Sequence, residues 1–257
     1  MIAALVLGAF IGLLLGLLGG GGSILAVPAL VYAAGQSLPQ AVTTSLLVVG
    51  ITAAVAVLPR LRAGQIAWRI GLLFGAAGAA TAFAGAAVGR ALPDDLVLAL
   101  FAVLMIGAGI RMLQEKPAHG AACAVDGGRV NWRRCLPRTL AGGLIVGFLT
   151  GLLGVGGGFL IIPVLVVALG LPMTTAIGTS LVIVALNSAA GFAAHAGDTH
   201  LDAPVTLAFT VAAVAAALAA GRVGTRMDTA RLRRWFAYLV FLVAAAVLAQ
   251  VGAELLT

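Results

Sequence analysis

Apolar residues run along this chain in long blocks broken by glycine, proline or charge, too uniform to be the one-sided faces of soluble helices. Ten segments result: 2–19, 24–34, 41–58, 66–90, 95–113, 138–153, 159–170, 176–194, 203–224 and 235–256. A helix needs roughly 20 apolar residues to cross the hydrocarbon layer of a membrane. The second segment in each group of five falls short and must enter and return, as a hairpin or a broken helix. Between the groups lies one hydrophilic stretch, 114–137, with the sequence QEKPAHGAACAVDGGRVNWRRCLP. The pattern predicts an all-α polytopic membrane protein divided into residues 1–113, a linker at 114–137, and residues 138–257.

Displacing the sequence by 135 positions lays Gly16–Gly35 on Gly151–Gly170 without a gap, and 16 of the 31 positions from Gly16 to Leu46 are then identical. Ala41, Thr44, Ser45 and Leu46 fall on Ala176, Thr179, Ser180 and Leu181; Gly89 falls on Gly224 and Phe101 on Phe236. Shared apolar composition does not produce such a match, so the chain is an internal duplication. Orientation follows from the basic residues, which collect on the cytoplasmic side of membrane proteins. Fourteen of the 15, all but Arg90, lie in the Arg60–Arg69 turn, around the linker, or before the last segment. The loop equivalent to the Arg60 turn, His195–Asp202, contains no Lys or Arg. Equivalent loops on opposite sides predict two inverted repeats, each a Gly-rich broken or hairpin pair plus three long transmembrane helices. The linker is then cytoplasmic and both termini periplasmic.

Composition narrows the function classes. Of 257 residues, 62% are hydrophobic and 9% charged, with a mean hydropathy of +1.18, against about 25% charged in a soluble domain. A soluble protein is excluded, and the segments leave no room for a separate catalytic domain. The net charge of +7 reflects cytoplasmic loops rather than affinity for nucleic acid. The first segment is apolar from Met1, with no basic leader region and no small-x-small cleavage site, so it is expected to be retained. Cys123 and Cys135 are an isolated pair that gives no disulfide framework, and with His119 they match no standard zinc spacing. No metal and no cofactor are expected.

Non-helical backbone at membrane depth is tolerated where it is buried in protein or lines a cavity. Two Gly-rich runs break the apolar blocks, Gly19 to Ser23 and Gly154 to Gly158, and each precedes a short segment containing a proline, Pro28 or Pro163. A turn of this kind presents unpaired N–H groups and the positive end of a helix dipole, which suits an anion. The substrate-binding candidates are Gly20, Gly21, Gly22 and Ser23 in the first half and Gly156, Gly157 and Gly158 in the second. The hydroxyls of Thr44, Ser45, Thr179 and Ser180 join them, with Asn187 deeper in its helix. Against this stand two structural roles: glycines that let helices approach closely, and hydroxyls that bond their own backbone. Ionisable groups are nearly absent from the segments, so binding rests on neutral donors and favours a monoanion such as bisulfite over a dianion. His195, at the outer end of its segment, is the candidate for proton coupling.

The doubled pattern Gly19-Gly20-Gly21-Gly22, Pro28, Thr44-Ser45 and Gly154-Val155-Gly156-Gly157-Gly158, Pro163, Thr179-Ser180 resembles the TauE/SafE sulfite exporter family, also called the toluene sulfonate uptake permease family. Gly64 and Gly197, in the loops after the third segments, belong to the same resemblance, which covers nearly the whole length. The first copy departs from the pattern in having Ser23 where the second has Gly158. The resemblance implies a secondary transporter of small sulfur-containing or organic anions, such as sulfite, thiosulfate, sulfoacetate or sulfonates, in the bacterial inner membrane. Proton-coupled alternating access, with one half rocking against the other, is the mechanism expected of such a plan. Three rivals are a channel-like anion pore, a membrane sulfur-handling enzyme using Cys123 and Cys135, and a structural or assembly partner. The expected partners are a small anion and the lipid bilayer.

Overall fold

A computed structural model describes residues 2–20, 35–89, 132–153, 158–195 and 203–224 continuously, with scattered positions between 23 and 30, between 103 and 130, and between 228 and 245. The architecture is helical. In chain order the helices are α1 (Ile2–Leu18), α2 (Leu38–Arg62), α3 (Trp68–Gly89), α4 (Trp132–Leu153), α5 (Gly158–Pro163, widening into a π-helical turn at Val164–Ala168), α6 (Met173–His195) and α7 (Ala203–Gly224). The linker adds one antiparallel pair of two-residue strands, β1 (Val125–Asp126) and β2 (Arg129–Val130). Segments 24–34, 95–113 and 235–256 fall largely outside the described residues. Among the described residues three helices are long and apolar enough to cross a membrane: Gln40–Arg62, Met173–Ala193 and Ala203–Gly224.

Local chemistry explains most of the helix boundaries. Pro39 sits in the first turn of α2, where its missing N–H costs nothing, and Gly64, at φ +65°, closes the other end. At Pro163 the helical ladder loses a donor and the backbone winds wider, so that the Leu169 N–H reaches the Val164 carbonyl at 3.1 Å. This segment stops at Gly170, φ +74°, where the Leu171 N–H donates back to Leu165 O at 2.9 Å. Its counterpart 135 residues earlier stops in the same way: Gly35 at φ +66°, with the Gln36 N–H donating to Leu30 O at 3.2 Å. Only glycine takes that left-handed conformation without strain.

Glycine also sets how the helices meet. Gly8, Gly12 and Gly16 of α1 lie directly against the backbone of Phe209, Ala213 and Ala217 of α7. Gly143, Gly147 and Gly151 of α4 lie in the same manner against Phe74, Gly78 and Ala82 of α3. A β-carbon at Gly12 or Gly147 would overlap the facing backbone. The two sets are related by the 135-residue displacement, residue for residue, and the small-residue spacing of four is a known route to close helix contact in lipid. In both pairs the contacts ascend together, so the helices run parallel. The central pair differs: Gly50 of α2 faces Ser188 of α6, and Leu46 faces Gly191, so α2 and α6 run antiparallel. These register relations place Arg60, Arg62, Arg69, Arg133, Arg134, Arg138 and Arg222 at one common end of the bundle.

Three expectations change. The α2 helix continues to Arg62 instead of stopping near 58, and α4 begins at Trp132, so residues 132–137 are helical rather than linker. Exposed Arg133, Arg134 and Arg138 are tolerated there because the first turns of α4 stand at the end of the bundle, where long side chains reach water. Cys123 and Cys135 form a disulfide across a sequence separation of 12. Both cysteines are buried, and the Cys123 N–H donates to Leu169 O at 3.2 Å, tying the linker to the end of the π-helical turn.

Candidate functional site

The two Gly-rich runs meet. Gly19 takes φ +70° immediately after α1, and a β-carbon added there would press on Ser180 Oγ, with Ile162 and Ile177 alongside. Gly20 lies against the backbone of Gly158, and Ser23 Oγ lies beside Gly158 as well. Thus Gly20, Ser23, Gly158 and Ser180, drawn from both halves, share one contact region. Every one of them is buried. Gly21, Gly22, Gly156 and Gly157 lie outside the described residues, as does the side chain of His195, the last residue of α6.

The hydroxyls divide into distinct groups. Ser45 Oγ donates to Val42 O and Ser180 Oγ to Ile177 O, each at 2.8 Å, and these bonds are equivalent under the 135-residue displacement. Ser23 Oγ donates to Gly20 O at 2.7 Å. Each serine proton is therefore engaged by its own backbone, as side chains of this type commonly are. To donate to an anion, a serine must turn about its Cα–Cβ bond. Thr179 acts differently: its Oγ1 accepts the Ala67 N–H at 3.0 Å, and its neighbour Gly178 packs against Gln65 O. The turn between α2 and α3 is thereby fastened to the start of α6. Thr44 is fully buried, and its Oγ1 has no hydrogen-bond partner among the described residues. Unpartnered buried hydroxyls are uncommon in folded proteins.

Asn187 lies elsewhere. Its side-chain nitrogen approaches Gly78, at the crossing of α3 with α4, while its Oδ1 is buried and unpartnered among the described residues. The equivalent residue, Thr52, is also buried with an unpartnered Oγ1. Asn187 thus belongs to a helix crossing and is separated from Ser180 by about two helical turns.

Arg60 was not among the candidates, because a charged residue after an apolar run reads as the start of a loop. It is fully buried, in the last turn of α2. Nη1 donates to Gln65 Oε1 at 3.0 Å, and Nη2 donates to Gly16 O and Leu17 O at 3.3 and 3.4 Å. Gly224 leaves room for the guanidinium: a β-carbon there would lie 2.6 Å from Nη2. No motif could have signalled this, since the partners come from the distant end of α1. At the same end of the bundle, Arg69 lies over the Trp132 ring, 5.8 Å from its centre, beside a cavity of about 400 Å³ that also touches Leu72 and Leu73.

Apolar membrane-length helices, and interrupted elements from both halves that meet inside the bundle, are the marks of a polytopic helical membrane protein. Known sequences specify the class further. The family model described as sulfite exporter TauE/SafE matches residues 4–247. The chain belongs to that family. A "Probable membrane transporter protein" of Xylella fastidiosa (strain 9a5c) is 32% identical over 240 residues, covering 92% of this chain and 90% of the relative. A "Probable membrane transporter protein YunE" of Bacillus subtilis (strain 168) is 26% identical over 270 residues, covering 98% and 95%. The "Probable membrane transporter protein MJ0441" of Methanocaldococcus jannaschii is 27% identical over 197 residues, covering 74% and 70%. No solved structure matches the chain. The protein is a membrane transporter, not an enzyme.

Proposed function

We propose that the protein is a secondary transporter of small sulfur-containing or organic anions, of the sulfite, thiosulfate or sulfonate type, built from two inverted halves. The observation that carries this reading is the antiparallel contact of α2 with α6, helices that occupy equivalent places in the duplicated sequence. Antiparallel equivalents mean that each half enters the membrane in the opposite sense. The arginine-rich end is then cytoplasmic by the positive-inside tendency, the linker with it, and the inner membrane is the setting. The start of α1 lies at the opposite, periplasmic end.

In this reading the anion is held where the Gly-rich turns cross, by turn N–H groups together with Ser23, Ser45, Ser180 and Thr44. The serine protons switch from their backbone carbonyls to the anion, and the resting bonds keep the site satisfied when it is empty. Thr179 positions the neighbouring turn. Asn187 contributes to the packing of moving parts more than to the anion. Because the glycine contacts join α1 to α7 and α3 to α4, the bodies that rock against each other in alternating access are these pairs, each holding one helix from either half, in place of the two sequence halves. His195 is the proton-coupling group.

The test is uptake of labelled sulfite, thiosulfate and a small sulfonate into proteoliposomes, with and without a pH gradient, against the leak of empty vesicles. Saturable flux that responds to the gradient is expected. Folded protein giving no flux above leak for any of the three anions would remove the assignment.

A further inference from the structure

The most unusual charge in the described structure is the guanidinium of Arg60. It is completely buried within a helix long enough to cross the membrane, and its partners among the described residues are all neutral: one amide oxygen and two carbonyls. Its Nε is buried with no partner among the described residues. The two carbonyls, Gly16 and Leu17, belong to the last turn of α1, whose dipole supplies only about half an elementary negative charge. Their distances of 3.3 and 3.4 Å are long for charge-assisted bonds. A full positive charge in low dielectric is therefore only partly compensated, and such a group calls for a counter-charge.

Position tells what kind. The register of the central pair, Gly50 with Ser188 and Leu46 with Gly191, carries Arg60 to the level of Gly178 on the antiparallel helix. Direct contacts agree. Gln65, which holds Nη1, abuts Gly178 through its carbonyl, and Ala67 in the same turn donates to Thr179. From the other side, the α1 end that accepts Nη2 leads within two residues into Gly19, which touches Ser180. Gly224 keeps the space open for the guanidinium.

We propose that Arg60 is the cationic element of an anion site at the basic end of the bundle, adjoining the contact of Gly19 with Ser180, and that its ligand is a small oxyanion such as sulfite or sulfate. The inference rests on the transport reading above for its location, and it changes the chemistry of that reading. Binding no longer depends on neutral donors alone, so a doubly charged oxyanion becomes an acceptable cargo at this end. The site is one-sided: the residue 135 positions beyond Arg60 is His195.

The experiment uses the purified full-length protein in detergent, titrated with sodium sulfite and sodium sulfate against sodium chloride at matched ionic strength. Thermal stability gives an apparent Kd, and proteoliposome uptake of labelled sulfite gives KM. The wild type is expected to bind both oxyanions saturably. Arg60→Gln is expected to weaken Kd and KM about 10- to 150-fold, the range for losing a charge-assisted bond. Arg60→Lys keeps the charge without the planar fork and falls between. An anion Kd unchanged in folded Arg60→Gln would overturn the proposal, even if transport persisted. Oxyanion binding that requires Arg60 in a protein with no flux would sustain it while removing the transport reading. If neither variant folds, hydrogen exchange of the wild type decides: sulfite must slow amides within 16–20 and 60–67, and protection elsewhere overturns the proposal.

Discussion

Thr179 and Ser180 are adjacent hydroxyls at the same helical level, yet the structure gives them opposite sensitivities. Thr179 Oγ1 is the acceptor for the Ala67 N–H at 3.0 Å. In Thr179→Val that partly buried N–H loses its partner, which costs about 1–3 kcal/mol. For a chain of this size each kcal/mol lowers Tm by roughly 2–4 °C, so a fall of about 2–12 °C is expected. Ser180 donates only to Ile177 O in its own helix. Removing that bond in Ser180→Ala leaves no distant group without a partner, so the cost should stay at about 0.5–1.5 kcal/mol, the net worth of one buried hydrogen bond. If Ser180 turns its proton to the anion, however, transport loses a charge-assisted bond of about 1.5–3 kcal/mol, or roughly 10- to 150-fold in KM. Thermal unfolding in detergent and sulfite uptake by proteoliposomes, run on the same preparations, read both effects. A Ser180→Ala protein with wild-type KM, or a Thr179→Val protein with wild-type Tm, would refute the division of labour.

Other perturbations test separate parts of the structure. Gly12→Ala and Gly147→Ala should each destabilise by about 1–3 kcal/mol, because the added methyl forces apart a helix pair already in backbone contact; Gly107→Ala, with open space around it, should not. Their matching losses would be read from unfolding curves. Reporter fusions at Ala63 and Gly197 should report opposite sides of the membrane, and the same side for both would end the inverted arrangement. Replacing Cys123 and Cys135 together with serine should lower stability by about 3 kcal/mol under oxidising conditions, the chain-entropy value for a short loop, and leave sulfite transport per folded molecule unchanged. His195→Ala should abolish the response of flux to an imposed pH gradient while retaining exchange at equal pH.

Apolar pattern made most of the helices legible. The run 203–224 is α7 residue for residue, and 66–90 is α3 to within two residues at either end. The duplication was legible too, since identical residues at a fixed offset need no structural knowledge. What escaped depended on partners far away in sequence. Charge at Arg60 reads as a helix stop, but α1 supplies carbonyls that let the helix continue. Arginines before residue 138 read as linker, although they can ride on the exposed first turns of α4. Asn187 falls on Thr52 under the same offset that aligns the T-S pairs, but helix phase turns it toward Gly78. The glycines at 8, 12 and 16 and at 143, 147 and 151 carried a signal in their spacing of four, masked by a sequence in which glycine is common. The meeting of Gly20 with Gly158 follows from packing alone.

The glycine contacts also set an order of assembly. Some 200 residues separate Gly12 from Ala213, its neighbour across the α1–α7 crossing. During synthesis α1 reaches the bilayer about 200 residues ahead of the surface that covers its small-residue face. Until then that face has only lipid against it, and the ladder of close contacts cannot form. Contacts so distant in sequence form late and slowly. A ribosome that stalled after the linker would leave a fragment without the partner of its first helix, open to pairing with any other exposed glycine stripe in the membrane.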